Sequence, residues 1–591
     1  MIDQASSKEI KEVDGMKMLA AEALVQSLEK EGTEVIFGIP GGVTLPFHDA
    51  LRSSKMRYVL MRHEQCVGHA ADGYARATGK VGVCTVTSGP GATNVVTPIA
   101  NAYMDSIPLV VIAGQVTRPV IGTDAFQEAD ITGITLPIVK HSYLVTEAND
   151  IPHMIKEAFH IASTGRPGPV VIDVPRDVSQ EFIDFKYPER VYLPGYKPTI
   201  KGHPRQIKQA AEAILVSKRP VIYGGGGIIA SGASEELREL AELTDAHVTM
   251  TLMGKGAFPE THPLSLGMPG MHGARYANYA LSNTDLIIAV GVRFDDRVTG
   301  KISEFAPKAK VIHIDVDPAE ISKNVFAHIP VVGDAKVILR ELVEKLKKLR
   351  ETQEFPDRSA WDKKIEEWKK EFPLHYEEDN ILRPQYIVEQ IYEVTKDRKT
   401  IVATGVGQHQ MWAAQYYKSD RPRTFISSGG LGTMGFGMPA AIGAQFGVPD
   451  ATVMVIDGDG SFQMCSQDLA TAVYCKLPIN ICIMNNGYLG MVRQWQNLFY
   501  KGHYFAVDLA VGTPDFVKLA EAYGAKGMRV KTHAEVRPAL EEAIASPETV
   551  VIDFEVEREE NVFPMVAPGA AIDEMIGGIK ESSSKKKGAE Q

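Results

Sequence analysis

Short apolar runs bounded by glycine or proline alternate with stretches of helical periodicity along most of the chain, as parallel strands joined by crossover helices require. In the first unit, residues 35–39 run into Pro40-Gly41-Gly42, residues 57–61 into Arg62-His63-Glu64, and residues 81–87 into Ser88-Gly89-Pro90-Gly91, each followed by a helical stretch. A second unit begins near Pro204. Residues 221–223 lead into Gly224-Gly225-Gly226-Gly227, and a helix near 234–244 and strands at 286–290 and 311–315 follow. Between about 337 and 378 the pattern turns helical and heavily charged, which predicts a solvated helical connector. A third unit carries strands at 401–404, 453–457, 479–484 and 550–555. The whole reads as a three-domain α/β protein, with domains at 1–190, 200–345 and 381–576, a connector at 346–380 and a Ser/Lys-rich tail at 577–591 expected to fray.

Composition narrows the function. A chain of 591 residues with 44% hydrophobic and 23% charged residues can fill several cores, which excludes a lone small module and wholesale disorder. Acidic residues outnumber basic ones, 74 to 63, and the net charge of -11 would repel a polyanion, so nucleic acid is not an expected partner. Any phosphate must therefore be held locally. Five cysteines without C-x-x-C or metal-ligand spacing suggest neither a disulfide framework nor a zinc site and suit a reducing cytoplasm. The acidic N-terminus lacks the apolar core of a signal peptide, and no uncharged apolar run approaches the roughly 18 residues that span a membrane.

The strongest chemical signal is Gly458-Asp459-Gly460-Ser461 directly after the apolar strand at 452–456, with Asn485-Asn486 ending the next apolar strand. One strand-helix-strand crossover returns both strand ends to the same carboxyl edge of a parallel sheet, where open α/β sheets bind ligands. Asp459 and Asn486 can thus share one hard cation, completed by a backbone carbonyl, water and two phosphate oxygens, a set that suits octahedral Mg²⁺. An EF-hand reading fails, because Phe462 stands where the calcium loop needs glycine. An ordinary tight turn explains the glycines but not the matched asparagines.

The segment from Gly458 to Asn486 also resembles the cofactor signature of thiamine-diphosphate enzymes. The motifs at 37–42, 62–64 and 88–91 are similar to the pyrimidine-binding domain of the decarboxylase and carboligase branch. Those at 122–127, 293–300 and 490–496 narrow the resemblance to the acetohydroxyacid synthase (acetolactate synthase) catalytic subunits, over about residues 17–576. The resemblance implies three doubly wound parallel-sheet domains and a homodimer, or a dimer of dimers, with the site between the first domain of one copy and the third of the other. It implies that pyruvate is decarboxylated on thiamine diphosphate and that the two-carbon unit is added to pyruvate or 2-ketobutyrate, in branched-chain amino-acid biosynthesis. It also leaves room for a small regulatory subunit.

Site residues follow from the same resemblance. Glu64 is the expected catalytic carboxylate, which protonates an aminopyrimidine ring nitrogen from an apolar, water-poor setting. Met434 is expected to lie beneath the cofactor's bridge and the Gly432 carbonyl to accept from its amine; Gly458, Gly460 and Ser461 face the phosphates, and Asp459, Asn486 and Tyr488 hold Mg²⁺. Phe126, Gln127, Met271, Arg297 and Trp495 are expected to handle substrate. FAD is implied along the central domain, with Arg166, Gly224, Gly225, Gly226, Met271, His272, Gly273, Arg293, Arg297, Asp315 and Asp334 as contacts. The residues alone do not give a clean dinucleotide fingerprint. Ile229 replaces the third glycine, and the next strand ends without a ribose-binding acid, which disfavours an ordinary NAD dehydrogenase. Arg176 departs from the lysine common in the family and stays off the catalytic list. Rival readings are a FAD-dependent pyruvate oxidase, a catabolic synthase lacking FAD, and a catalytically silent nucleotide-binding protein.

Overall fold

Burial on both faces explains why the inner strands are continuous apolar runs rather than alternating ones. The computed structural model describes residues 17–578, so residues 1–16 and all but the first two residues of the tail at 577–591, which is expected to fray, lie outside the described residues. The first sheet contains β1 (Val35–Gly38), β2 (Arg57–Leu60), β3 (Gly82–Val86), β4 (Leu109–Gln115), β5 (His141–Leu144) and β6 (Pro169–Pro175). All six are parallel, in the order β2-β1-β3-β4-β6-β5. The central sheet has β7 (Pro220–Gly224), β8 (His247–Met250), β9 (Leu286–Val290), β10 (Lys310–Asp315) and β11 (Ile329–Val332), ordered β8-β7-β9-β10-β11. The third has β12 (Thr400–Thr404), β13 (Phe425–Ile426), β14 (Thr452–Gly458), β15 (Ile479–Asn485), β16 (Lys526–Val530) and β17 (Val550–Glu555), ordered β13-β12-β14-β15-β17-β16.

In each order the chain crosses from one side of its first strand to the other, between β1 and β3, between β7 and β9, and between β12 and β14; in the first and third sheets it also turns back at the far edge, where β6 and β17 lie inside β5 and β16. At each such crossing the following loops part and leave a crevice at the carboxyl ends of the strands. The glycine-rich segments fall at these crevices: residues 40–42 and 88–91 in the first, 225–227 and 291 in the second, 405–407 and 458–460 in the third.

The first and third domains join through two helices. Helix α1 (Glu64–Thr78) begins where the His63 side chain accepts from the Gln65 amide and ends at Gly79 in the left-handed region. It packs on α2 (Gly437–Gly447), which is buried along nearly its whole length and built mainly from small residues. A Cβ at Gly73 would lie 2.1 Å from the Ala440 carbonyl oxygen, and one at Gly443 only 1.8 Å from that of Ala70, so both backbones touch and neither glycine can be replaced without moving a helix.

The charged region expected to be a solvated connector is more embedded than that. The helix Ala335–Arg350 buries Ile338, Leu339, Leu342, Val343 and Leu346 in the central core. The helix Ser359–Glu371 likewise inserts Trp361 and Ile365. Charge on the outer face of these amphipathic helices masks an apolar stripe at helical spacing.

Asp173 in β6 is buried, with one oxygen accepting from Gln115 Nε2 at 2.9 Å and the other without a partner. Burial pushes its carboxyl up to about 7. Between about pH 4 and 7 the folded protein therefore holds a proton here that the unfolded chain has lost, so this group's contribution to stability falls as pH rises through that window. Asp173→Asn removes the dependence. Melting curves of cofactor-free wild type and variant at pH 5 and 8 should converge at the acidic end and separate, variant above wild type, at the basic end. Parallel offsets at both values would rule the assignment out.

Candidate active site

The third crevice is tightly closed around two carboxylates. A Cβ at Gly405 would sit 1.8 Å from Asp457 Oδ1, and one at Gly458 would sit 2.6 Å from His409 Nδ1, so the two loops approach too closely for side chains. Asp457 is fully buried and accepts from the Gly458 amide at 2.9 Å. Asp459, also buried, opens the short helix α3 (Asp459–Gln463), where the nearby Gly460 and Asn486 backbone partly offsets the cost of burying its carboxyl. Burial pushes both carboxyls up to about 7, and the Oδ2 atom of each has no hydrogen-bond partner. An unpartnered buried carboxylate oxygen is costly unless a cation or proton occupies it.

Asn486 stands opposite. Its Oδ1 accepts from the Tyr488 amide at 3.1 Å, and its Nδ2 donates to Gln408 Oε1 at 3.1 Å. The neighbouring Asn485 side chain points the other way along the strand and binds Asp553 at 2.9 Å. Gln408 and His409 carry no motif in the sequence and were not anticipated. The first braces Asn486, and the second is buried beside Asp457, where desolvation drives its imidazole down to about 3 and keeps it neutral. Ser461 links this cluster to the next segment, its Oγ accepting from the Gly435 amide at 3.0 Å. Gly432 lies at φ +71 with only Val406 within 4 Å of a Cβ position, and the Met434 methyl is 3.8 Å from the Cβ position of Gly460.

A cavity of about 1740 Å³ runs from this loop into the central domain. Gly432, Met434 and Trp495 line one end. Trp495 is half-buried on helix α4 (Gly490–Phe499) and packs edge-on against Phe499, with ring centroids 5.5 Å apart. Arg166, Gly225, Gly226, Met271, His272, Arg293, Arg297, Asp315 and Asp334 line the remainder; Gly224 and Gly273 do not. A Cβ at Gly224 would meet the Met250 sulfur at 2.6 Å and one at Gly273 the Pro269 carbonyl carbon at 2.3 Å, so both serve close packing.

Several of these residues also have protein partners. Arg166 donates to Ser106, Asp317 and Glu320 at 2.9, 3.2 and 2.7 Å, and Asp334 caps a helix through the Val337 amide. Arg297 lies 3.6 Å from Asp296 in an exposed pair. His272 is buried with its Nδ1 unpartnered, and burial lowers its imidazole to about 4. Arg176 is exposed, at the start of a single helical turn.

Glu64, Phe126 and Gln127 are absent from this cavity's lining. They cluster instead at the first crevice. Glu64 Oε2 accepts from Asn94 at 3.0 Å, its Oε1 lies 3.5 Å from a Cβ position on Gly91, and the Gln127 backbone packs on Gly89. Glu64 is half-buried rather than enclosed, and Phe126 is 88% exposed. The chain thus builds two separate groups of site residues, and the apolar enclosure expected for Glu64 is missing within one copy.

Three family models match the chain in succession. Residues 18–134 match the family described as thiamine pyrophosphate enzyme, N-terminal TPP binding domain. Residues 207–342 match the central domain of these enzymes and residues 405–554 their C-terminal TPP binding domain. An acetolactate synthase of Mycobacterium bovis is 53% identical over 568 residues, 95% of this chain and 91% of the relative. A probable acetolactate synthase large subunit of Methanocaldococcus jannaschii is 52% identical over 579 residues, 96% of this chain and 97% of the relative. An acetolactate synthase large subunit of Cyanidium caldarium is 48% identical over 570 residues, 95% of this chain and 97% of the relative.

Proposed function

This chain belongs to the acetolactate synthase family of thiamine pyrophosphate enzymes, and from that membership we propose how its residues divide the work. The observation that carries the reading is the buried, unpartnered Asp459 oxygen at the third crevice, where the next strand end carries the buried Asn486. Asp459, Asn486 and the Tyr488 carbonyl form a hard oxygen set that fits Mg²⁺, which in turn anchors the cofactor's diphosphate. Gly432 and Met434 fit the cofactor's bend: the first leaves its carbonyl free of side-chain crowding, and the second supplies a bulky apolar wedge. The long cavity past Gly225, Gly226, the unpartnered His272 Nδ1 and two arginines fits FAD.

When bound, thiamine diphosphate supplies the electron sink for loss of the pyruvate carboxyl group. Glu64 holds a proton at its carboxyl and shares it with the aminopyrimidine ring nitrogen, a role that needs water excluded. A second copy of the chain supplies that enclosure. Glu64, Phe126 and Gln127 of one copy close over Met434, Trp495 and Asp459 of the other, and the exposed Phe126, Leu45 and Leu136 are covered in the process. Arg297 offers a cation to the carboxylate of the 2-keto acid, while Met271 and Trp495 wall its alkyl end. Pyruvate and 2-ketobutyrate are the acceptors, and the large-subunit names of the relatives favour a regulatory small subunit as a further partner. The free cysteines suit a reducing cytoplasm, and among the described residues no helix is long and apolar enough to cross a membrane.

Purified protein given pyruvate, Mg²⁺, thiamine diphosphate and FAD should form 2-acetolactate without stoichiometric oxygen uptake, and should sediment as a dimer or larger. Oxygen consumption matched by acetyl phosphate or acetate would establish the oxidase reading instead.

Trp495→Leu should shift the products of a mixed pyruvate and 2-ketobutyrate assay toward 2-acetolactate. The indole face rewards one extra methylene, an increment of about 1 to 3 kcal/mol in a formed pocket. The rate on pyruvate alone should change much less. An unchanged product ratio with a sharp drop in melting temperature would make the indole a packing element.

A further inference from the structure

Four buried polar groups of the first domain converge on the loop that carries Gly432 and Met434 in the same chain. Asp105, whose side chain is wholly buried, accepts from the Gly430 amide at 2.7 Å through one oxygen and from the Gly429 amide at 3.2 Å through the other. Arg76 donates to Asp105 at 2.8 Å and to the Ser427 carbonyl at 2.9 Å, and pairs with Asp72 one helical turn earlier. Asn101 donates to Asp72 at 3.0 Å, while its Oδ1 accepts from the hydroxyls of Ser428 and Thr433 at 2.6 and 3.2 Å. The Thr433 amide closes the ring on Ser428 Oγ at 2.9 Å.

Two carboxylates share one guanidinium, so each needs further donors: Asn101 supplies one to Asp72, and the two glycine amides supply those of Asp105. Charge-assisted bonds of this kind are short, directional and hard to replace in a dry interior. The Cβ positions confirm the tightness: a methyl at Gly430 would be 2.8 Å from Asp105 Oδ1, and one at Gly429 only 2.4 Å from the Met253 sulfur. The loop is therefore wedged between first and central domains rather than free to find its own shape.

We propose that Asp105, clamped by Arg76, is a positioning residue that pre-orders the 429–434 loop for the cofactor. The proposal rests on the reading of Gly432 and Met434 as cofactor contacts. Asp105 acts through the Gly429 and Gly430 amides and touches no substrate. Its effect is on turnover, because a reacting group displaced by about 1 Å can lose on the order of 10²-fold in rate.

Two variants test this from opposite sides. Asp105→Asn keeps the shape, removes the charge and leaves Arg76 paired with Asp72, so the fold persists. Gly430→Ala leaves the charged groups intact and pushes the loop off Asp105. In cofactor-free protein, hydrogen exchange of the peptide spanning 427–435 should quicken about tenfold in both, while the peptide covering β14 stays protected. With saturating thiamine diphosphate, kcat should fall about 10- to 100-fold and KM for pyruvate should stay within about threefold. Unchanged exchange at 427–435 in both variants overturns the proposal. So does an equal loss of protection in β14, which would make the cluster a general stabiliser. The exchange result is read without cofactor, so it stands apart from the functional reading, which fails separately if wild-type enzyme makes no acetolactate.

Discussion

Glu64→Gln will lower turnover by about 10²- to 10⁴-fold, the usual worth of a positioned proton-transfer group, while leaving the concentration of thiamine diphosphate needed for half-maximal activity nearly unchanged. The amide keeps an oxygen for the Asn94 bond at 3.0 Å, so the start of α1 should hold its place and the variant should melt like wild type. Only the exchangeable proton is lost. The groups expected to anchor the cofactor's diphosphate, Asp459 and Asn486, belong to the third crevice and feel nothing of the change. Steady-state rates with cofactor held saturating, alongside cofactor titrations, separate the two effects. Near-native turnover would remove Glu64 from the chemistry.

The opposite split is expected for Asp459→Asn. Outer partners of metal ligands are worth about 10- to 100-fold in metal affinity, and a direct anionic ligand should be worth at least as much, so the Mg²⁺ concentration for half activation should rise about tenfold or more. Stability should move the other way. The carboxyl is raised to about 7 by burial, so above that pH the cofactor-free fold carries an uncompensated buried charge that the unfolded chain does not. The amide abolishes this cost, and cofactor-free Asp459→Asn should melt higher than wild type at pH 8. Residues that bind a dication often destabilise the empty protein in this way. Superimposable metal titrations would falsify the assignment.

What the chain revealed about itself depended on how local each signal was. The Gly458–Asn486 cluster was legible because a single strand-helix-strand crossover fixes the spacing, and because an acid at one strand end is matched by asparagines at the next. Its bracing was not legible. Gln408 and His409 reach Asn486 and Asp457 from the end of a different strand, and nothing in their own neighbourhood marks them. Asp72 and Arg76 read as an ordinary pair at helical spacing, and only the packing of α1 on α2 shows that they are buried. The edge strand β16, Lys-Gly-Met-Arg-Val, neither alternates nor runs apolar, and only its last residue is buried. Glu64 is half-buried within one chain, and the resemblance already assigns its enclosure to the third domain of a second copy rather than to its own chain.

The crossing of α1 and α2 bears on how such enzymes can be recombined. Backbone contact at Gly73 and Gly443 leaves no room for an intervening methyl group, so the two outer domains fit only partners whose helices dip at the same places. A chimera that takes its first domain from one relative and its third from another should assemble only when both small-residue faces match in register. The outer pair should thus be inherited as one cassette.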